Sequence, residues 1–134
     1  MKIGIINVTG YSGCELARIL YRHPEVELAS VTGRSAAGQK LGDVFPHLAA
    51  LNLTITEQLD GNLDLAFSAL PHKASAEAVI PALEQGLKVV DISADFRLKS
   101  ADEYQEWYGV RHQDPNYLEE AVYGLTELHR EEVK

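Results

Sequence analysis

Residues 5–13 read IINVTGYSG, and this stretch decides the fold because it joins an apolar run directly to a glycine-rich turn. The apolar run, residues 2–7, contains β-branched side chains and predicts a buried strand. Gly10 and Gly13 follow three residues apart, a spacing that suits a main chain in close approach to another group. The stretch therefore predicts a strand that ends in a tight turn.

A helix and a second strand are predicted after this turn. Residues 13–22 (GCELARILYR) carry apolar side chains at the i, i+3, i+4 spacing of an amphipathic helix, and His23-Pro24 ends it. These apolar positions are Leu16, Ile19 and Leu20. Residues 25–32 (EVELASVT) predict the second strand. Strand, glycine turn, helix and strand within about 32 residues are typical of one βαβ unit.

The rest of the chain repeats this alternation. Further strands are predicted over residues 51–56, 63–70 and 87–93, further helices over residues 74–85, 100–108 and 125–134, and an irregular segment over residues 33–48. Gly86 follows a predicted helix as a C-terminal glycine does, and Ser100 begins a capping-box pattern. One face of the helix at 100–108 is predicted to carry Tyr104, Trp107 and Tyr108. We predict an α/β protein, a Rossmann-type doubly wound, mostly parallel sheet with helices on both faces, as one domain over residues 1–134.

The composition limits the classes of function. A formal net charge of −8 argues against nucleic acid or an anionic membrane as the main partner. No apolar run approaches the roughly 20 residues that span a bilayer, and no signal peptide is evident, so we expect a cytoplasmic protein. Cys14 is the only cysteine and the five histidines lack metal-ligand spacing, so we expect neither a disulfide nor a metal site. Cys14 is interpreted as a small packed residue, although a helix dipole at this position would favour its thiolate.

The glycine turn is the candidate ligand site. A turn that opens a helix offers free N–H groups and the positive end of the helix dipole, and a pyrophosphate is the usual anion there on this fold. The pattern NxxGxxG differs from the GxGxxG dinucleotide fingerprint, so the prediction depends on the surrounding strand, helix and second strand. Contacts to a nucleotide are predicted from Thr9, Gly10, Tyr11, Ser12 and Gly13. The alternative is that the glycines serve only close packing of helix on strand.

The end of the second predicted strand discriminates between the two nicotinamide cofactors. NAD sites usually carry Asp or Glu there, which binds the ribose 2′-hydroxyl. Residues 29–40 contain no acid, and Arg34 with Ser35 stands where an adenosine 2′-phosphate would lie. The pattern favours NADP, with a solvated loop arginine as the alternative.

A third segment follows the predicted strand at 63–70. Residues 70–75 (LPHKAS) end that strand and open a helix, the position that lines ligand crevices in open α/β sheets. Cofactor contacts are predicted from Leu70, Pro71, His72 and Ser75. His72 either faces the cofactor or caps the helix.

Several stretches together resemble one enzyme family. NVTGYSGCEL, SVTGRSAAG, SALPHKAS, VVDISADFRL, YQEWYGVRH and VYGLTELHREE occur in the order found in N-acetyl-γ-glutamyl-phosphate reductases, over essentially the whole chain. The resemblance implies an NADPH-dependent, homo-oligomeric parent enzyme of arginine biosynthesis, which reduces N-acetyl-glutamyl 5-phosphate to the semialdehyde. The alternatives are the related reductase of carrier-bound aminoadipyl phosphate in lysine biosynthesis and a non-catalytic NADP-sensing or interaction module.

The resemblance also implies which residue performs the catalytic step and where in the parent enzyme it lies. In the family, a cysteine thiolate attacks the acyl phosphate, and hydride from NADPH reduces the resulting thioester. That cysteine lies in an NPGCYPT-like segment, which residues 1–134 do not contain. We therefore expect the nucleophilic cysteine beyond Lys134, and we expect this chain to bind NADP(H) without turnover.

The resemblance also implies roles for Arg97 and His112. Arg97 resembles an arginine that binds the substrate's phosphate in aspartate-semialdehyde dehydrogenases. The alternative role for Arg97 is a salt bridge to Asp91 or Asp95. His112 is expected to line the substrate side.

The sequence departs from the family pattern at four positions. Asn7 stands where glycine is usual, although asparagine adopts left-handed backbone conformations less freely. Gly33 replaces a common serine, which removes one possible phosphate donor. Thr126 and His129 replace proline and asparagine near the end.

Overall fold

The computed structural model describes residues 1–133, so Lys134, the last residue of the helix predicted at 125–134, lies outside the described residues. Strand β1 (Lys2–Ile6) runs into the glycine turn, helix α1 (Tyr11–Leu20) follows it, and strand β2 (Glu27–Thr32) completes the unit. The predicted βαβ unit is therefore confirmed. The helix begins two residues earlier than predicted, because the turn after β1 is shorter than the sequence pattern suggests.

The five strands form one parallel sheet in the order β3-β2-β1-β4-β5. Its remaining members are β3 (Ile55–Thr56), β4 (Leu65–Ser68) and β5 (Lys88–Asp91). The central strand is β1, in which Ile3 pairs with Leu28 of β2 on one side and with Leu65 of β4 on the other. The chain moves outward to β2 and β3 and then returns to β4 on the far side of β1. Such a reversal creates the switch point at which open α/β sheets bind ligands.

Two crossover helices cover opposite faces of this sheet. Helix α1 connects β1 to β2, and α3 (Ser75–Glu84) connects β4 to β5 in the opposite lateral direction. Right-handed connections that run in opposite directions place their helices on opposite faces. The predicted Rossmann-type, doubly wound sheet is confirmed. Gly86 follows α3 with a φ of +79°, as expected of a C-terminal glycine.

The connection between β2 and β3 is irregular, as predicted. It contains 3₁₀ turns at Arg34–Ala36 and Pro46–Leu51 and, between them, the one-turn helix α2 (Leu41–Val44). Strand β3 has two residues instead of the six predicted. It begins late because Leu51 still belongs to a 3₁₀ turn and Asn52 adopts a left-handed backbone conformation, with a φ of +50°.

Three short helices follow β5. They are α4 (Ala101–Tyr108), α5 (Asn116–Glu120) and α6 (Thr126–Val133). The predicted N-cap of α4 is confirmed, since Ser100 Oγ accepts a hydrogen bond from the Glu103 N–H at 3.3 Å. Of the three aromatic residues predicted on one face of α4, Tyr104 is buried, whereas Trp107 is 76% exposed. Helix α5 is not predicted by the sequence, because five residues are too few for a periodic signal.

The main core cluster lies where α1 and the β2–β3 connection meet the sheet. It contains Ile3, Ile5, Val8, Ala17, Leu20, Leu28, Val31, Ala36, Leu41, Leu48 and Ile55. The buried face of α1 consists of Gly13, Ala17 and Leu20, whereas Ile19, one of the apolar positions of the predicted amphipathic helix, is 51% exposed. Two small residues on the inner face let the helix approach β1 closely, which rotates Ile19 towards solvent.

Candidate functional site

Asn7 anchors the turn after β1. It adopts a left-handed backbone conformation with a φ of +67°, which asparagine tolerates better than most residues. Its backbone N–H donates to Thr32 Oγ1 at the end of β2 (3.1 Å), and its side-chain amide donates to the Ala69 carbonyl after β4 (3.0 Å). Thr9 Oγ1 donates to Asn7 Oδ1 (3.2 Å). Asn7 thus connects the ends of the three central strands, and two of these hydrogen bonds need its side chain.

The two glycines of the turn have different roles. A Cβ atom on Gly13 would lie 2.2 Å from the Asn7 carbonyl oxygen and 2.8 Å from Val8 Cα. Gly13 therefore permits close packing of α1 on β1, which is the alternative that the sequence leaves open. A Cβ atom on Gly10 would meet nothing closer than Asn7 Nδ2 at 3.4 Å. Gly10 therefore leaves open space above the turn.

The N-terminus of α1 is suited to an anion. Gly10 is the N-cap residue, no side chain caps the helix, and the first turn carries no acidic residue. The first N–H groups of a helix have no partner within it, so those of Tyr11, Ser12 and Gly13 can bind a ligand. The side chains of Tyr11 and Ser12 are exposed. These N–H groups and the helix dipole together attract a phosphate-sized anion.

The end of β2 presents an arginine without a partner. Arg34 and Ser35 are exposed, and neither side chain makes a hydrogen bond or ion pair within residues 1–133. Gly33, directly before them, is buried, and a Cβ atom there would lie 2.7 Å from Thr9 Cγ2. Thr9 therefore packs against the end of β2, which brings the two predicted cofactor segments into contact. Arg34 also borders a groove of about 600 Å³ that extends to α3.

A cavity of about 390 Å³ lies at the ends of β1, β4 and β5. Five predicted site residues line it: Ser12, Leu70, Pro71, His72 and Arg97. The other lining residues are Ala69, Ile92, Ser93, Ala94 and Tyr108. Because Ser12 also belongs to the first turn of α1, the cavity adjoins the anion site. An elongated ligand at the switch point can therefore reach from the end of β2, across α1, into this cavity.

Asp95 holds the turn between β4 and α3. Its carboxylate is completely buried and accepts hydrogen bonds from the N–H groups of Lys73 (2.7 Å) and Ala76 (2.9 Å). The Tyr104 hydroxyl is the third donor, at 2.7 Å. Burial, reinforced by the adjacent carboxylate, raises the pKa of Tyr104 well above its ordinary value, so the hydroxyl remains a donor. This role is not visible in the sequence, because the partners in the turn are 19 and 22 residues away.

Arg97 faces the cavity without a carboxylate partner among the described residues. The alternative prediction of a salt bridge to Asp91 or Asp95 is wrong, because serine, tyrosine and backbone donors occupy both carboxylates. The guanidinium lies 5.9 Å from the centroid of the Tyr123 ring and donates to the Ser93 carbonyl at 3.4 Å. Its charge therefore remains available to an anion in the cavity.

Ser75, a predicted cofactor contact, does not reach the cavity. Its side chain is completely buried, and its hydroxyl donates to Asp91 Oδ1 at 2.6 Å and lies 2.6 Å from Ser68 Oγ. The hydroxyl thus joins α3 to β4 and β5. Burial leaves the side chain no surface with which to contact a ligand.

His112, predicted to line the substrate side, lies in an aromatic cluster and is not part of the cavity wall. Its ring packs edge-on against the rings of Phe96 and Tyr104, with both centroid distances at 5.2 Å. His112 Nδ1 accepts a hydrogen bond from the Asp114 N–H at 3.2 Å, and Nε2 is buried without a partner. The structure therefore brings this histidine near the site only through Tyr104.

Cys14 is also absent from the cavity wall. It is half-buried on α1, with its Sγ 3.6 Å from His47 Nε2. Burial, and then the charge of Glu15, raise the pKa of its thiol, which is the opposite of the shift that a helix dipole would give. This environment agrees with a packed, unreactive residue. The nucleophilic cysteine expected beyond Lys134 lies outside the described residues and stays a prediction.

Neither a candidate metal site nor a candidate membrane-spanning helix is found among residues 1–133. No three His, Cys, Asp or Glu side chains are grouped so that they could hold a metal ion. None of the helices has the length and apolar character needed to cross a membrane.

Comparison with known families agrees with this geometry. The family model for the NAD-binding domain of semialdehyde dehydrogenases matches residues 2–134. The chain belongs to this family. In this semialdehyde dehydrogenase NAD-binding domain, the turn after β1, the exposed Arg34 after β2 and the cavity all lie at the C-terminal ends of the strands, where the fold binds dinucleotides.

Individual relatives are consistent with the predicted resemblance. An N-acetyl-gamma-glutamyl-phosphate reductase of Dehalococcoides mccartyi is 64% identical over 132 residues, which are 98% of this chain and 39% of the relative. One of Rhodobacter capsulatus is 51% identical over an alignment of 137 positions, which covers 99% of this chain and 40% of the relative. The chain thus spans about two fifths of the length of these curated relatives.

A solved structure extends the comparison to the fold. The crystal structure of aspartate semialdehyde dehydrogenase with NADP from Candida albicans matches with a TM-score of 0.64 and 27% sequence identity. The match covers 72% of this chain and 30% of that one.

Proposed function

We propose that this chain is the NADP(H)-binding domain, residues 1–134, of an N-acetyl-γ-glutamyl-phosphate reductase. The parent enzyme would reduce N-acetyl-glutamyl 5-phosphate to N-acetyl-glutamate 5-semialdehyde in arginine biosynthesis. The names of the relatives support this substrate over carrier-bound aminoadipyl phosphate and over a module without catalysis. The observation that carries the cofactor assignment is Arg34, which is exposed after the end of β2 and has no hydrogen-bond or ion-pair partner among residues 1–133.

The described residues fit an NADP molecule along the ends of the strands. The uncapped N–H groups of residues 11–13 would hold the pyrophosphate. Arg34 and Ser35 would hold the 2′-phosphate, which the guanidinium binds with two parallel N–H donors. The cavity wall at Leu70, Pro71 and His72 would receive the nicotinamide half. Bound NADPH supplies the hydride for reduction of the substrate.

The substrate side of the proposal depends on Arg97. Arg97 lines the cavity and its guanidinium has no carboxylate partner among residues 1–133, so it is suited to an acyl phosphate. The catalytic nucleophile is not assigned to any residue of this chain. Cys14 is the only cysteine in the sequence and does not line the cavity. We therefore propose that the parent enzyme supplies the catalytic cysteine from beyond the position of Lys134 and that this chain alone catalyses no turnover.

A cofactor titration tests the assignment. NADPH should bind this chain more tightly than NADH, as followed by nicotinamide fluorescence. Arg34→Ala should weaken NADPH binding at least about tenfold, the loss expected for one hydrogen bond to a charged group, and should leave NADH binding nearly unchanged. Arg22→Ala is the matched control, because it removes the same charge beyond the C-terminal end of α1.

Two outcomes would contradict the proposal. Equal affinity for the two cofactors would remove the role of Arg34. Reduction of N-acetyl-glutamyl 5-phosphate by this chain alone would show that the nucleophile has been wrongly placed outside it.

A further inference from the structure

The turn between β4 and α3 contains a strained residue beside the cavity. Lys73 has a φ of +73°, a left-handed conformation that is strained for a residue with a side chain such as lysine. It follows His72, whose exposed side chain lines the cavity, and it precedes the first residue of α3 by two positions. Strained backbone of this kind persists where surrounding contacts determine it.

A single carboxylate determines this conformation. Asp95 Oδ1 accepts the N–H of Lys73, and Asp95 Oδ2 accepts the N–H of Ala76 in the first turn of α3. The two oxygens therefore fix the strained residue relative to the helix. Asp95 is completely buried, and its charge is balanced by these donors, by the Tyr104 hydroxyl and by the N-terminus of the ten-residue helix α3.

The same carboxylate is also connected to the cavity through the rings of two tyrosines. The Tyr104 ring lies 4.9 Å from the Tyr108 ring, and the Tyr108 ring lies 5.8 Å from the His72 ring, measured between centroids. Tyr108 and His72 both line the cavity. Asp95 is thus connected to His72 in two ways: through the backbone of Lys73, and through the rings of Tyr104 and Tyr108.

His72 itself makes no hydrogen bond within the described residues, so its orientation depends on the backbone of Lys73 and on the Tyr108 ring. Without the carboxylate, two adjoining N–H groups would lose their acceptor, and Lys73 would be free to leave its strained conformation. The ring of His72 would then move away from Tyr108.

We propose that Asp95 is a positioning residue that fixes His72 on the cavity wall and so preforms the cavity for the nicotinamide half of the cofactor. This proposal rests on the proposed cofactor function. Asp95 touches no ligand in it and acts only through the turn at residues 71–73 and through the two tyrosines.

The test compares Asp95→Asn with Tyr104→Phe in the full 134-residue chain. The asparagine variant replaces one acceptor oxygen by a donor that faces other donors. The phenylalanine variant removes the third hydrogen bond but keeps both backbone bonds and the ring stack. For each variant, the ¹H–¹³C signals of the His72 ring, the Kd for NADPH and the urea midpoint are measured.

In Asp95→Asn, the His72 signals should move towards random-coil positions as the Tyr108 ring current is lost. The Kd for NADPH should rise about tenfold, as expected if about one molecule in ten keeps the competent turn. In Tyr104→Phe, the urea midpoint should fall, while His72 keeps its signals and the Kd stays within about threefold. A lower urea midpoint in Asp95→Asn with unchanged His72 signals and unchanged Kd would reduce Asp95 to a purely structural residue and overturn the proposal.

A measurement on the unmodified chain covers the case in which Asp95→Asn does not fold. The amide of Lys73 lies in an exposed turn, yet the bond to Asp95 should slow its hydrogen exchange about a hundredfold or more relative to a free peptide. Exchange at the free-peptide rate would overturn the positioning role. If the unmodified chain bound no NADPH, the proposed cofactor function would fail, and the His72 signals and the exchange rate would still decide whether Asp95 fixes the turn.

Discussion

Gly13 of α1 lies directly against the carbonyl oxygen of Asn7: a Cβ atom on residue 13 would be 2.2 Å from that oxygen and 2.8 Å from Val8 Cα. Both neighbours are backbone atoms, so no change of side-chain rotamer can relieve the contact. The first turn of α1 can therefore lie over the end of β1 only because residue 13 has no side chain. The same close approach brings the free N–H groups of this turn to the switch point of the sheet.

Gly13→Ala should lower the free energy of unfolding by about 2 kcal/mol, measured by urea denaturation. Alanine gains about 1 kcal/mol of helix propensity, but overpacking against rigid backbone outweighs this gain. Gly10→Ala is the matched control, because the nearest atom to its Cβ would be 3.4 Å away and its φ of −80° suits any residue. It should change stability by less than about 0.5 kcal/mol. Equal losses in the two variants would contradict the packing role of Gly13.

Asn7 should be replaced by glycine at lower cost than by alanine. Both changes remove the side-chain hydrogen bonds to Ala69 and Thr9, but only alanine also bears the strain of a φ of +67°. Urea denaturation should therefore rank the variants as wild type, Asn7→Gly and Asn7→Ala in falling order. The last two should be separated by about 1 kcal/mol. An Asn7→Gly variant as stable as the wild type would show that the side-chain bonds contribute nothing.

Gly33 and Thr9 should behave as a coupled pair. A Cβ atom on Gly33 would lie 2.7 Å from Thr9 Cγ2, so Gly33→Ser should destabilise the chain through that methyl group. Thr9→Ser removes the methyl group and keeps the hydroxyl that bonds to Asn7. A double-mutant cycle in urea should give a favourable coupling of about 1 kcal/mol between the two substitutions. Additive effects would show that Ile55, at 3.2 Å, is the limiting neighbour instead.

Local patterns in the sequence predict the parts of this fold that depend on local periodicity. The βαβ unit, the C-terminal glycine at residue 86 and the N-cap at Ser100 are of this kind. Prediction from the sequence fails where the burial of a residue depends on contacts with residues that are distant along the chain. Hydrophobicity selects Ile19 for the core of α1, whereas the small size of Gly13 and Ala17 determines which face of the helix is buried.

The candidate site divides in the same way. Ser12, His72 and Arg97 can be predicted as neighbours because each follows a strand whose C-terminal end reaches one edge of the sheet. The position of a residue along the chain does not reveal how its side chain is buried. Ser75 therefore looks like a ligand contact although its hydroxyl is buried, and the acceptor role of Asp95 remains hidden.

Ser75→Ala should separate stability from binding. Loss of this buried hydroxyl leaves Ser68 Oγ and Asp91 each without one partner, which should cost about 1–3 kcal/mol in urea denaturation. The Kd of the folded variant for NADPH should stay at the wild-type value, because the side chain has no exposed surface. Ser35→Ala, on the exposed turn after β2, is the matched control and should weaken NADPH binding without loss of stability. A larger Kd in Ser75→Ala at unchanged stability would restore this serine as a cofactor contact.

Tyr104 should make the stability of the chain sensitive to alkaline pH. Burial and the Asp95 carboxylate raise its pKa in the folded state above the unfolded value of 10.0. The native state therefore keeps a proton that the unfolded state releases. The resulting stabilisation is fully present below the unfolded pKa and is lost as the pH rises towards the folded value, with a slope of at most about 1.4 kcal/mol per pH unit. Urea denaturation between about pH 9 and pH 11.5 should show a steeper loss of stability in the wild type than in Tyr104→Phe, since the variant has no phenol to ionise. Parallel pH profiles for the two proteins would mean that the Tyr104 phenol ionises as readily in the folded chain as in the unfolded one.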